Sequence, residues 1–132
     1  MRKALAIIIA AFLMIATQAQ EKLIPQKYIQ DKEKPTLVMF TASWCGPCKY
    51  MKESVMKDSS VKKVLDGFNV LLLDVDQNDG KLFAERFIPV GFKGSIPYFV
   101  ILDKTGKVVD TLLGSVKRKE FLAFLSKAED EE

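Results

Sequence analysis

The sequence predicts an α/β domain in which one mixed β-sheet carries helices on both of its faces. Strand-like and helix-like patterns alternate along the first part of the chain, which is typical of parallel strands joined by helical crossovers. Near the carboxyl end, two strand-like segments are separated only by the short turn 103–106, which predicts an antiparallel hairpin. Helices that join parallel strands have to cover both faces of the sheet.

The predicted strands are short apolar runs bounded by polar residues, proline or glycine. The run 36–41 is partly β-branched and predicts a buried strand. The run 69–75 is uniformly apolar over 70–73, as expected for a strand that is covered on both faces. The last two strands, 98–102 and 107–113, form the hairpin.

The predicted helices span residues 45–57, a short segment ending at residue 65, residues 81–87 and residues 117–127. Capping oxygens at 58–60 favour the start of the second helix. Residues 21–34 predict a short amphipathic helix or an arm. The third and fourth helices offer apolar side chains for packing: Leu82, Ala84 and Phe87, then Phe121, Leu122, Phe124 and Leu125.

The amino terminus has the pattern of an export signal. Arg2 and Lys3 precede the uncharged apolar run 4–16, and residues 17–19 offer small side chains at the usual cleavage positions. The run is shorter than the roughly 20 apolar residues of a membrane-spanning helix, although an uncleaved anchor is the alternative. We therefore predict a signal peptide at 1–19 and one domain at 20–132. The mature protein would be periplasmic or secreted, in a bacterium.

Composition excludes several classes of function. The chain has no histidine, which removes Cys–His, Ser–His and histidine-based metal chemistry. Its net charge of +3 is too small to indicate a nucleic-acid partner. The two cysteines supply only two of the four ligands of a zinc site, so we predict no metal and no cofactor.

Cys45 and Cys48 form a C-x-x-C motif where the first predicted strand meets its helix. A helix start presents free backbone N–H groups and partial positive charge, and both stabilise a thiolate. Cys45, at the helix start, should be the more exposed sulfur, accessible from outside, and should attack a substrate disulfide. Cys48, one turn further in, should be less exposed and resolve the mixed disulfide. An inert structural bridge is the alternative, but so small a loop predicts little stabilisation.

The motif Trp44-Cys45-Gly46-Pro47-Cys48-Lys49, placed after an apolar strand, resembles the active site of the thioredoxin superfamily. The resemblance covers about residues 35–127 and implies the thioredoxin fold. Further matching segments are Phe40-Thr41-Ala42-Ser43, residues 74–78, Ser95-Ile96-Pro97 and Gly114.

In this family the Ile-Pro step carries a cis proline that faces the cysteines. The resemblance therefore implies a cis bond between Ile96 and Pro97, which leaves the Ile96 backbone free to pair with an extended substrate segment. Trp44, Ile96 and the loop 88–94 would form an apolar docking surface, and Gly46, Pro47 and Pro97 would complete the substrate contacts. Trp44 could instead be an ordinary core residue.

Three positions depart from the family pattern. Thioredoxins have a buried aspartate on the first strand where this chain has Met39, and a partner lysine where it has Leu72. The helix-kinking proline is replaced by Glu53. Cys48 therefore lacks the carboxylate that manages its proton, and the candidates for that role are water, Glu53 and Asp74.

A closer resemblance is to exported thioredoxin-like domains, such as the periplasmic C-terminal domain of the transmembrane disulfide reductant. It rests on Lys49, Met51, Val55, Asp58 and Val61. Gly46-Pro47 between the cysteines resembles the reducing members of the family, so we predict an oxidoreductase that reduces the disulfides of other proteins. A reductant in an oxidising compartment needs an electron donor, for which we expect a membrane reductase, and we expect the protein to be a monomer. The alternatives are a disulfide oxidase or isomerase of secreted proteins, and a non-catalytic binding module.

Overall fold

The computed structural model describes residues 24–89 and 95–129, so the predicted signal peptide and part of the predicted docking loop lie outside the described residues. The elements are, in chain order, a 3₁₀ turn (Gln26–Tyr28), strand β1 (Thr36–Thr41), helix α1 (Gly46–Tyr50) continued by a π-helical turn (Met51–Val55), helix α2 (Ser59–Leu65), strand β2 (Asn69–Asp74), helix α3 (Asn78–Phe87), strand β3 (Tyr98–Leu102), strand β4 (Val108–Leu113) and helix α4 (Arg118–Ser126).

The four strands form one mixed sheet in the order β2-β1-β3-β4. Strand β1 pairs in parallel with β2, and β3 pairs antiparallel with both β1 and β4. The βα alternation and the closing hairpin thus produce the arrangement that the sequence predicts, and the α/β class is confirmed.

Alternating side chains along β1 divide the interior into two cores. Leu37 and Met39 lie on one face, where they pack with Cys48 of α1 and with side chains of α2 and α4. Val38 and Phe40 lie on the other face, where they pack with Phe83 of α3. All six residues of β1 are buried, so this strand is covered on both faces as predicted.

Strand β2 differs from the sequence prediction because one of its faces is not covered. Val70 and Leu72 are exposed, whereas Leu73 is buried. The parallel register places Val70 beside Leu37 and Leu72 beside Met39, on the face that carries α1. At the edge of the described sheet, β2 lies beyond the helices that cover β1 and β3, so the prediction of burial on both faces is wrong for this strand.

The helices differ from their predicted bounds at two places. The first helix changes to π-helical hydrogen bonding over Met51–Val55, where Met56 N–H donates to the Met51 carbonyl at 2.8 Å. Helix α3 begins at Asn78, three residues earlier than predicted, and Leu82 on it is exposed rather than packed. The early start depends on Gly80, because a Cβ at this position would lie 1.8 Å from the Asp74 carbonyl oxygen.

The segment before β1 is an arm rather than an amphipathic helix in its described part, which contains only the short 3₁₀ turn. The buried Asn69 side chain fastens it, since its amide donates to the Asp31 carbonyl at 2.7 Å and its oxygen accepts from Asp31 N–H at 2.9 Å. In the described part of the chain, no helix has the length and apolar character needed to cross a membrane.

Candidate active site

Cys45 and Cys48 lie just beyond the carboxyl end of β1 and are joined by a disulfide, with their Cα atoms 5.2 Å apart. Cys45 is the N-cap residue of α1, and Pro47 occupies the first turn, where its missing N–H has no partner to lose. Strand β1 places the pair at the carboxyl end of the two parallel strands, and the turn that follows brings both sulfurs to the start of α1. The structure therefore brings the two predicted redox residues together.

The Cys45 sulfur has polar neighbours on two sides. It accepts a hydrogen bond from the Cys48 backbone N–H at 3.2 Å, and the Ile96 carbonyl oxygen lies 3.7 Å from it. Once the disulfide is reduced, the N–H group and the positive end of the helix dipole favour a thiolate at this sulfur.

Both cysteines are largely withdrawn from solvent in the disulfide form. Cys45 is 5% exposed and Cys48 is 0% exposed, so the predicted order of exposure holds by a narrow margin. The expectation that Cys45 is open to solvent is wrong for this form, because the residue belongs to the core beneath α1.

The segment around Pro97 faces the disulfide from the other side. The Ile96–Pro97 peptide bond is cis, Pro97 is buried and Ile96 is half-buried. The Pro97 carbonyl accepts a hydrogen bond at 2.8 Å from the N–H of Gly114, which follows β4 and has φ +89°. The hairpin strands therefore hold the Ile96 backbone beside Cys45.

Trp44 is a surface residue, with 65% of its area exposed, so the alternative that it belongs to the core is wrong. Its indole N–H donates to Asp76 Oδ2 at 2.8 Å. Asp76 was not predicted as a site residue. Because β1 and β2 are parallel, their carboxyl ends meet at one edge of the sheet, and this topology could have indicated the contact.

Glu53 and Asp74, the candidate replacements for the family's buried aspartate, are not buried beneath Cys48. Met39 is fully buried in the same core as Cys48. Glu53 lies exposed in the π-helical turn, and Asp74 is half-buried with its Oδ1 accepting from the Asp76 N–H at 2.9 Å. Neither carboxylate therefore lies in the core around Cys48.

A family model described as a thioredoxin-like domain matches residues 25–129. The chain belongs to this thioredoxin-like family. The protein is 31% identical over 100 residues to a thioredoxin of Rickettsia prowazekii, with 76% of this chain and 87% of that protein covered. It is 32% identical over 120 residues to the thiol:disulfide interchange protein TxlA homolog of Synechocystis, covering 84% of this chain and 63% of that protein.

The thioredoxin-like protein also shares its fold with the oxidised C-terminal domain of Neisseria meningitidis DsbD. The TM-score is 0.63 at 21% identity, with 90% of this chain and 95% of that domain covered. Family membership and the paired cysteines together make this protein a thiol–disulfide oxidoreductase.

Proposed function

We propose that this thioredoxin-like protein is exported and reduces disulfides of other proteins, with Cys45 as the attacking residue and Cys48 as the resolving residue. The observation that carries the proposal is the environment of the Cys45 sulfur. It accepts the Cys48 N–H at the amino end of α1, while Cys48 lies behind it without exposure. A sulfur stabilised as thiolate attacks first, and a shielded one attacks second.

The reaction exchanges one disulfide for another. The Cys45 thiolate attacks a sulfur of the substrate disulfide, and the other substrate sulfur leaves with the bonding electron pair and takes up a proton. Cys48 then loses its proton to water and its sulfur attacks Cys45 Sγ, and the second substrate sulfur leaves with the bonding electron pair and takes up a proton. Two electrons pass to the substrate, and the Cys45–Cys48 bridge is formed.

The proposed substrate contacts surround the Cys45 sulfur. The Ile96 carbonyl lies 3.7 Å from this sulfur, so an extended substrate strand that pairs with the Ile96 backbone would bring its own disulfide to Cys45. Trp44 supports this role because it is exposed and held in place by Asp76. Gly46 and Pro47 are exposed at the start of α1, and Pro97 holds the Ile96 segment.

Two features of the sequence favour export and the reducing direction. The predicted signal at 1–19 would deliver the protein to an oxidising compartment, where a reductant needs an electron donor, and we propose a membrane reductase. Gly46-Pro47 between the cysteines resembles reducing members of the family. Similarity over 84% of this chain to a relative named a thiol:disulfide interchange protein supports disulfide exchange itself.

Reduction of insulin tests the activity and the residue roles. With dithiothreitol as electron donor, we expect the protein to accelerate the precipitation of insulin chains well above the uncatalysed rate. Cys45→Ser should abolish this acceleration. Cys48→Ser should accumulate a mixed disulfide between Cys45 and the substrate, detectable by mass spectrometry. Wild-type protein that gives no rate above the uncatalysed reaction would contradict the proposal.

The direction of electron flow is tested in cells by trapping free thiols with an alkylating reagent. A pair kept mostly reduced indicates a reductant supplied with electrons. A mostly oxidised pair, together with a strongly oxidising potential measured against glutathione, would instead indicate an oxidase or isomerase. Function retained after both cysteines are replaced by serine would indicate a binding module.

A further inference from the structure

Thr41, at the end of β1 that leads to the cysteines, carries a buried hydroxyl whose lack of a hydrogen-bond partner in the described part of the chain is unexplained. The residue ends β1 and is only 6% exposed, yet its hydroxyl has no hydrogen-bond partner among the described residues. A buried hydroxyl without a partner is unfavourable and needs an explanation in terms of function or structure.

The position of Thr41 in β1 directs its side chain to the cysteine side of the sheet. Side chains alternate along a strand, so Thr41 shares a face with Met39, which packs in the same core as Cys48. The following residue, Ala42, accepts a hydrogen bond from Cys45 N–H at 3.2 Å. The unpaired hydroxyl is therefore at the end of the strand where the two sulfurs lie.

The two sulfurs differ in their hydrogen-bond donors. Cys45 Sγ accepts the backbone N–H of Cys48, whereas no described donor reaches Cys48 Sγ. In the disulfide form Cys48 is fully buried and has no contact with bulk water, and Met39 in the same core offers no donor. Of the two sulfurs, Cys48 is the one whose thiolate needs an additional donor.

We propose that the Thr41 hydroxyl donates a hydrogen bond to the Cys48 sulfur when the pair is reduced, and that it thereby favours the Cys48 thiolate. This inference rests on the proposed function. In the disulfide the sulfur carries no negative charge and attracts a donor weakly, which explains an unpaired hydroxyl in this form. In the mixed disulfide, Cys48 releases its proton to water, and the hydrogen bond lowers the free energy of the thiolate that attacks Cys45.

Of the charged residues on the elements around Cys48, one competes with Thr41 for this role. Its own helix and the π-helical turn carry Lys49, Lys52 and Glu53, and α2 carries Lys62 and Lys63 after its N-cap Asp58. Strand β2 ends at Asp74 and Asp76 follows two residues later, β4 carries Asp110, and α4 carries Arg118, Lys119 and Glu120. None of these side chains is buried, and β1 and β3 contain no charged residue. Asp74 is the competing candidate, because the register places it beside Thr41.

The decisive variant is Thr41→Val, which removes the hydroxyl and keeps the shape of the side chain. The Cys45 mixed disulfide with thionitrobenzoate is formed in the reduced full chain at acid pH, where the Cys48 thiol stays protonated, and release of thionitrobenzoate by Cys48 is followed after a rapid jump to each pH. We expect the apparent pKa of release to rise, with release at neutral pH slower by about three- to tenfold. Thr41→Ser, which retains the hydroxyl, should stay within about twofold of wild type.

The equilibrium with glutathione is an independent measurement on the same variant. A hydrogen bond present only in the reduced form favours that form, so Thr41→Val should shift the equilibrium toward the disulfide by about three- to tenfold at a pH where the Cys48 thiolate forms. The matched control is Thr36→Val, a buried threonine at the other end of β1 and on the opposite face, which should change neither measurement. If Thr41→Val does not fold, Thr41→Ala provides the same comparison with Thr41→Ser.

Two outcomes would overturn the inference. Thr41→Val could match Thr36→Val in both the pH profile and the glutathione equilibrium. Alternatively, Asp74→Asn could shift the pH profile while Thr41→Val does not, which would assign the role to the carboxylate. A wild-type protein that fails to release thionitrobenzoate would contradict the proposed function instead, before Thr41 is tested.

Discussion

At Met39, a fully buried thioether occupies the strand position that carries an aspartate in the thioredoxins this chain resembles. Leu72, in the position of the partner lysine, lies beside it in the register of β1 and β2. Leu72 is exposed, so the two positions differ in environment although their backbones are paired. A charge at position 39 would have to leave water, whereas one at position 72 would not.

Met39→Asp should destabilise the protein by roughly 3–5 kcal/mol at neutral pH, because the carboxylate would be buried without a partner. Burial raises the pKa of such a carboxyl above its unfolded value of about 4. The loss should therefore be smallest below pH 4 and should grow as the pH rises toward the folded pKa. Urea unfolding of both proteins at several pH values, with the disulfide intact, measures this loss in the free energy of unfolding.

Leu72→Lys is the partner variant for this experiment. The exposed lysine can keep its amine in water while approaching the carboxylate, so the double variant should recover at least about 1 kcal/mol of the loss at neutral pH. Leu72→Lys alone should have little effect on stability, because the position is exposed. A double variant equal to the sum of the two single variants would show that the positions do not interact.

At the scale of elements, the junction between β2 and α3 depends on a close backbone approach. Gly80→Ala would place a methyl group 1.8 Å from the Asp74 carbonyl oxygen, which is too short for any contact. The first turn of α3 would have to move, and we expect a loss of about 3 kcal/mol, measured by urea unfolding. Gly46→Ala is the matched control, since nothing lies within 4 Å of its added Cβ. Equal stabilities of the two variants would contradict this account.

An ion pair between Asp110 of β4 and Lys127, the residue that follows α4, joins these two elements. The hydrogen bond from Lys127 lowers the pKa of the Asp110 carboxyl, and burial opposes this in part. The folded pKa is therefore below the unfolded value of about 3.9, so the pair stabilises the fold above that value and is lost as the pH falls through the folded pKa.

Asp110→Asn should lower the free energy of unfolding by less than about 1 kcal/mol at pH 7, because both side chains are partly exposed. The difference from wild type should disappear in acid, below the folded pKa. Thermal unfolding across pH measures both effects. Asp66→Asn, at an exposed residue that follows α2, is the control, and a deficit of Asp110→Asn that persists in acid would exclude the ion pair as its cause.

At the scale of the whole molecule, one sheet serves both cores, because successive residues of β1 and β3 enter opposite faces. Phe121 of α4 packs on Phe99 of β3 with ring centroids 5.1 Å apart. Phe121→Ala should destabilise the protein by about 3–5 kcal/mol. Because the sheet is shared, Trp44 fluorescence and far-UV circular dichroism should still report one coincident urea transition.

Leu122→Ala is the matched variant for this prediction. Leu122 is the next residue of α4 and is only partly buried, so its loss should be clearly smaller. Separate transitions by fluorescence and circular dichroism in Phe121→Ala would show that the two faces of the sheet unfold independently.

The sequence alone determined the order and type of the elements and the position of the redox pair. These depend on signals within a few residues, such as the apolar run 36–41 and the spacing of Cys45 and Cys48. The same local signals placed the strands at nearly their observed bounds, because polar residues, proline or glycine lie at the ends of most of these apolar runs.

Tertiary structure decided which surfaces are covered and which polar groups meet. Four consecutive apolar residues in β2 look the same in a central strand and in an edge strand, and only the sheet order leaves Val70 and Leu72 exposed. The Trp44–Asp76 hydrogen bond and the unpaired Thr41 hydroxyl likewise depend on parallel pairing of β1 and β2 and on packing against α1. Burial and pairing are set by neighbours distant in sequence, and a local pattern carries no information about their position.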